Sequence, residues 1–207
     1  VEMRNNPLSR VAAVASSLAL AGLIVIGAPA TAQDSTLTVE VVETGSRYTP
    51  DVDGLDADGN ATRGTYYITE GYIYEAGTLT CGGGVCNGVV YDEAGNASPE
   101  FPDKVIGTWT CYGTHTEDLA TYEGGVLAVS TQVFDLGDTP GSDTIVTSGF
   151  ETGDFDVPVS RAVIGGTGTH SGATGDQVQT LLGFNNSTLV VDEIPLLGFS
   201  WTTDLPT

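Results

Sequence analysis

Short strand-like segments follow one another along almost the whole chain, and no window of a dozen residues carries a 3.6-residue apolar period. Turn chemistry separates them, much of it drawn from 28 glycines. The strand-like runs are Leu37–Glu43, Gly64–Glu75, Gly88–Tyr91, Val105–Gly113, Gly125–Leu136, Thr144–Thr152, Phe155–Ile164, Gln177–Phe184, Thr188–Asp192 and Leu196–Thr202. Within Gly125–Leu136 the alternation is explicit. Val126, Ala128, Ser130, Gln132 and Phe134 fall on one face, and Leu127, Val129, Thr131 and Val133 on the other. A short helical turn is expected only near His115–Thr121. Regularly spaced strands without helices predict an all-β domain, either a sandwich or a closed barrel.

The first 32 residues do not share this pattern. Arg4 and Arg10 form a basic start, Val11 to Ile26 an apolar run, and Ala30-Thr31-Ala32 a small-x-small cleavage pattern. The run is shorter than the roughly 20 residues a membrane span needs. Residues 1–32 are therefore read as a secretory signal peptide cut after Ala32, and residues 33–207 as one domain, extracellular and with no membrane attachment after cleavage. The formal net charge of the whole chain is −21. The leader takes two of six basic and one of 27 acidic residues, leaving Arg47, Arg63, Lys104 and Arg161 as the domain's cations. A surface so acidic repels phosphate backbones, which excludes nucleic-acid binding.

An oxidising compartment permits disulfides. Cys81 and Cys86 flank a flexible Gly82-Gly83-Gly84-Val85 loop and can pair with each other, and either can equally pair with Cys111. No His stands at zinc spacing from them, and no metal or cofactor is expected. The loop Thr49–Gly64 holds Asp51, Asp53, Asp56, Asp58 and Asn60, but the EF-hand template puts Ala61 where Gly is required and Tyr67 where the bidentate Glu belongs. Gly-x-Ser-x-Gly and His-Glu-x-x-His are both absent, so hydrolase and metalloprotease chemistry has no support.

The most distinctive stretch is Arg161-Ala-Val-Ile-Gly-Gly-Thr-Gly-Thr-His-Ser-Gly-Ala-Thr-Gly175. Its glycines suit a tight turn between strands, and no helix follows to make a phosphate cradle. The stretch resembles the glycine-rich turn of the allene oxide cyclase and dirigent family. In matching order, Glu40-Val-Val-Glu43 resembles that family's first strand, Ile106-Gly-Thr-Trp-Thr-Cys111 its V-G-x-x-x-G-x-C region, and Gly125–Leu136 its following long strand. The resemblance implies an eight-stranded antiparallel barrel, usually trimeric, with a mostly apolar cavity at one end. It also implies a small apolar or phenolic ligand guided through stereoselective cyclisation or coupling. Carried over by position, the cyclase glutamate is Glu40, the cavity cysteine Cys111 and the aromatic of the motif His170. Val42 stands where the cyclases keep a polar partner, and Ala173-Thr174-Gly175 replaces the arginine of plant dirigent proteins.

From the chemistry of the residues, Glu40, Asp156 and Arg161 are the candidate catalytic groups. Tyr66 and Tyr72 are the candidate ligand contacts on the same ground, and the resemblance adds Cys111 and His170 to them. A carboxylate inside an apolar barrel has a raised pKa and serves as a general acid or base. If Glu40 faces inward, Val39, Val41 and Glu43 face the other way. The competing expectation is a non-catalytic barrel filled by its own side chains, acting as a binding or envelope component.

Overall fold

The computed structural model describes residues 36–48, 54–187, 189–191, 194–196 and 198–206, and for residues 46–48, 189–191 and 194–196 the backbone alone. Residues 1–32, read above as a signal peptide, lie outside what it describes, as do Asp51, Asp53 and the Arg47 side chain. Fourteen strands follow in chain order among those residues. They are β1 (Thr36–Tyr48), β2 (Tyr66–Glu75), β3 (Cys81–Gly82), β4 (Val85–Cys86), β5 (Val89–Tyr91), β6 (Ala97–Pro99), β7 (Val105–His115), β8 (Val126–Asp135), β9 (Thr144–Thr152), β10 (Pro158–Gly166), β11 (Gly175–Asn185), β12 (Leu189–Val191), β13 (Ile194–Leu196) and β14 (Phe199–Pro206). No α-helix occurs among the described residues; Leu119–Thr121 forms a single 3-10 turn.

Eight strands close a barrel in the order β1-β2-β7-β8-β9-β10-β11-β14, every pairing antiparallel and β14 returning to β1. Closure leaves no free edge, which decides between the sandwich and the barrel. The expected run Leu196–Thr202 divides between β13 and β14. Gly88–Tyr91 supplies a strand of the separate β5–β6 hairpin rather than a barrel stave.

The alternation of each stave sends one set of side chains inward. One end of the interior is apolar: Val39, Val41, Ile73, Phe134, Ile145 and Leu205 pack there, in a buried cluster that continues to Trp109 and Trp201 in the middle of the barrel. At this end the glycine-rich stretch joins β10 to β11 through a 3-10 turn at Gly168–His170. Gly168 needs a positive φ there, and a Cβ would meet the Ser142 carbonyl oxygen.

Residues 76–104 fold back over the outer face of β1 and β2. Val42, Tyr74 and Val89 form a second buried cluster with Tyr72, Leu79 and Phe101 packed around it. The Cys81–Cys86 disulfide pins the β3–β4 hairpin, whose β4 pairs in parallel with the end of β11. Cys111 is free and buried, which settles the pairing.

Candidate functional site

The end of the barrel opposite the glycine-rich turn has a polar interior. Three register irregularities ring it: on β1 between Glu43 and Ser46, on β8 between Val126 and Ala128, and on β11 between Leu181 and Gly183. Bulges re-aim side chains and widen the rim of a barrel. A cavity of about 40 Å³ lies beneath them, and Glu43, Leu127, Glu151, Leu181, Phe199 and Trp201 are among its lining residues. That volume holds one to three water molecules.

Glu151 is the hub. Its Oε1 accepts from Ser130 Oγ at 2.6 Å, Gln132 Nε2 at 2.9 Å and Cys111 Sγ at 3.5 Å, and its Oε2 accepts from the Tyr67 hydroxyl at 2.7 Å. Arg161 Nη1 stands 3.5 Å from the same carboxylate. Burial alone would push this group up, but the Arg161 charge and the donated hydrogen bonds outweigh it and hold its pKa below the usual value. The Arg161 guanidinium also donates to the Phe150 and Ser130 carbonyl oxygens and to Ser130 Oγ, at 2.9–3.0 Å.

Two glycines make this packing fit. A Cβ on Gly149 would crowd the Arg161 stem at 3.3 Å, and one on Gly113 would sit 2.7 Å from the Tyr67 hydroxyl. Farther in, Gln132 donates to Gln179, and Gln177 donates to Gln132 and Thr203.

Glu43 behaves in the opposite way. Desolvation pushes its pKa up to about 8, against the pull of the Phe199 N–H that donates to Oε2 at 3.0 Å, and the Glu151 charge adds to the rise. One cavity therefore holds a carboxylic acid that keeps its proton at neutral pH and a carboxylate that has lost it. Burial also pushes the Tyr67 hydroxyl and the Cys111 thiol up, so both remain protonated donors to Glu151.

The sequence candidates distribute unevenly around this site. Arg161 and Cys111 lie in it. Glu40 does not: its side chain points out of the barrel, is buried under residues 76–88, and accepts the Thr78 and Leu79 N–H groups at 2.8 and 2.7 Å. The inward residues of β1 are Val39, Val41 and Glu43, the parity opposite to the one that would place Glu40 inside. Asp156 is exposed in the β9–β10 turn with φ +60°. Tyr66 is 39 % exposed on the outer face, and Tyr72 packs in the outer cluster with its hydroxyl donating to the Ala97 carbonyl oxygen. His170 sits in the glycine-rich turn at the far end, its Nε2 3.9 Å from Asp143.

No family model and no curated protein matches the chain. Among solved structures it is similar to the pterocarpan synthase dirigent protein PsPTS1, at 14 % identity over 83 % of this chain and 93 % of that one, with a TM-score of 0.50. The fold is a dirigent-like barrel. The chain is also similar to the pterocarpan synthase dirigent protein GePTS1 (14 % identity, 83 % of this chain and 84 % of that one, TM-score 0.44). A pyocyanin demethylase is similar over 82 % of this chain and 99 % of its own, at 12 % identity and a TM-score of 0.44. At these identities the likeness speaks for the dirigent-like fold alone, and the site must be argued from its own residues.

Sequence reading missed Glu43, Glu151 and Tyr67. Glu43 was in view as the alternative parity of β1. Glu151 lies in the strand-like run Thr144–Thr152, and the one available signal was its place on the same alternating face as Thr147 and Gly149.

Proposed function

We propose that this dirigent-like barrel, exported by its leader, takes up a small apolar or phenolic molecule at its polar end and guides a stereoselective cyclisation or coupling. Glu43 acts as the acid and Glu151 as the base. The observation that carries this reading is the pair of carboxyl groups lining one cavity with pKa values displaced in opposite directions, a common arrangement for acid–base work at neutral pH. Glu43 would give its proton to a substrate oxygen while Glu151 takes one from the substrate. The pair is restored by exchange with solvent, so no net proton is consumed. Walls of Leu127, Leu181, Phe199 and Trp201 confine the ligand, which is how a barrel selects one product geometry. The name of the PsPTS1 neighbour, a synthase of a small molecule, supports the same class.

A rival reading is favoured by one observation. The cavity's 40 Å³ is far below the roughly 300 Å³ or more of a typical ligand site. Substrate entry therefore requires Leu127, Leu181 or Phe199 to move aside, and a barrel in which they cannot would be a non-catalytic binding or envelope component.

Thermal-shift screening of the exported protein against phenolics, unsaturated fatty-acid epoxides and lactones separates the two. A ligand at 100 times its dissociation constant adds about 2.7 kcal/mol, several degrees for a domain of this size. Stabilisation by one chemical class, with turnover in that class lost in Glu43→Gln and in Glu151→Gln, is the outcome expected. A flat screen with a well-folded protein would move the assignment to the rival.

A further inference from the structure

The barrel wall has a seam at its polar end. The β10–β11 ladder stops at the Pro158–Thr180 pair, and proline has no N–H with which to extend it. Beyond that pair one backbone bond follows, from the Asp156 N–H to the Leu181 carbonyl oxygen at 2.8 Å. β11 runs on to Asn185, past the end of β10.

The β3–β4 hairpin fills the gap. Val85 and Cys86 stand opposite Phe184 and Asn185. The Phe184 N–H donates to the Gly84 carbonyl oxygen at 2.9 Å, and the Asn186 N–H to the Cys86 carbonyl oxygen at 2.6 Å. The fit depends on glycine. A Cβ on Gly183 would run into the Gly84 backbone, and one on Gly84 would meet the Phe155 ring at 3.3 Å.

Behind the hairpin lies the cavity. Leu181 and Phe199 line it, and Phe199 pairs across the strands with Phe184. Phe155, Phe184 and Phe199 pack in series with 5.1 Å between centroids at each step, and each ring is half-buried. Where strand pairing is missing, the wall is made of rings that hold one another by contact alone.

The staves of the barrel are joined by longer ladders than the hairpin has. β3 and β4 are two residues each, and β4 meets β11 over two pairs. So short a hairpin is not stable by itself, and the Cys81–Cys86 disulfide holds its strands together. We propose that the β3–β4 hairpin is a lid over a side entrance to the cavity, and that the disulfide is its latch. This rests on the small-molecule reading above and adds the route. An apolar or aromatic molecule enters between the ends of β10 and β11, displacing Phe184 and Phe199 while the eight staves stay paired. A cavity of 40 Å³ can then admit a ligand without unfolding of the barrel.

The chain has only two tryptophans, both lining the cavity and both 2 % exposed, so every indole signal reports on this space. The test is acrylamide quenching of tryptophan fluorescence before and after reduction with dithiothreitol. The reagent gives two electrons and two protons to Cys81–Cys86 and closes to its own cyclic disulfide. Cys81 is exposed and the third cysteine, Cys111, is a free thiol, so no other bond is cut. Reduction is expected to raise the quenching constant at least about threefold, and reoxidation to restore it, while amide exchange along β7 and β8 stays slow. Phe184→Ala, which removes the middle ring and leaves the latch closed, should raise the constant about twofold.

A constant that does not change on reduction, or in a folded Phe184→Ala, overturns the proposal. So does a rise that comes only with faster exchange along β7 and β8, because the barrel itself has then opened. Should Phe184→Ala fail to fold, the wild-type measurements still decide. Quenching involves no turnover, so this outcome is independent of whether Glu43→Gln and Glu151→Gln abolish turnover.

Discussion

The two ends of the barrel interior are built from the same staves and solve opposite problems. At the glycine-rich end Val39, Ile73, Phe134, Ile145 and Leu205 fill the space with side chains that need no partners. At the other end Glu43, Tyr67, Glu151 and Arg161 must each be paired, and three register shifts bend the staves around them. The apolar end stabilises through area and fit, so its contribution is insensitive to pH. The polar end stabilises only while its protons are correctly distributed. The proposed acid–base pair lies at the end where the fold accepts that dependence.

The largest expected effects come from breaking each end in turn. Phe134→Ala should cost about 3–5 kcal/mol in urea unfolding, and the cost should be the same at pH 5 and pH 7.5. Arg161→Met should cost a similar 3–5 kcal/mol at pH 7.5, because it strands the Glu151 carboxylate. Its cost should shrink as pH falls and Glu151 takes a proton. Equal pH profiles for the two variants would erase the distinction between the ends.

A smaller effect of the opposite sign is expected at Glu43. Its folded pKa of about 8 lies above the ordinary 4.5, so the folded state holds the proton more tightly than the unfolded chain does. This contribution is fully present below about pH 4.5 and is lost as pH rises toward 8. Glu151 runs the other way: its lowered pKa gives stability above the ordinary value that is lost as pH falls through the folded one. Glu151 keeps 18 % of its side chain exposed, so its share is the more screened of the two. The polar end should therefore be most stable near pH 4.5. Glu43→Gln, which cannot ionise, should flatten the decline above that pH and gain on the order of 2–4 kcal/mol over the wild type at pH 8.5. Denaturant midpoints across pH 4 to 9 measure both.

How much of this could be read beforehand follows from where alternation survives. Gly125–Leu136 and Thr144–Thr152 alternate between core and surface and emerge as β8 and β9 almost unchanged. The cysteines closest in sequence form the disulfide. β1 is different, because Val39, Glu40, Val41, Val42 and Glu43 are all buried. Residues 76–104 cover its outer face, and a strand buried on both sides has no readable parity. Two glutamates three positions apart then look equivalent, although one caps a loop and the other lines the cavity. Tyr66 and Tyr67 are a different case, adjacent aromatics of the same type on an alternating strand, of which only the inward Tyr67 reaches Glu151. Glu151 itself was hidden because its importance depends on Tyr67, Cys111, Ser130, Gln132 and Arg161, which converge from four other strands.

Glu40→Gln is the smallest expected effect and the sharpest test of that parity. Glu40 accepts two backbone N–H groups through one carboxylate oxygen, and both donors belong to the loop that leads into the disulfide hairpin. An amide oxygen can still accept both bonds but loses their charge assistance, so the loss should be about 1 kcal/mol. Hydrogen exchange should quicken at Thr78 and Leu79 while the indole signals of Trp109 and Trp201 stay where they are. The decline in stability above pH 4.5 should also persist, because Glu43 is untouched. If Glu40→Gln instead flattened that decline or moved the indole signals, β1 would have to present its other face to the cavity, and the acid–base pair would need to be rebuilt around Glu40.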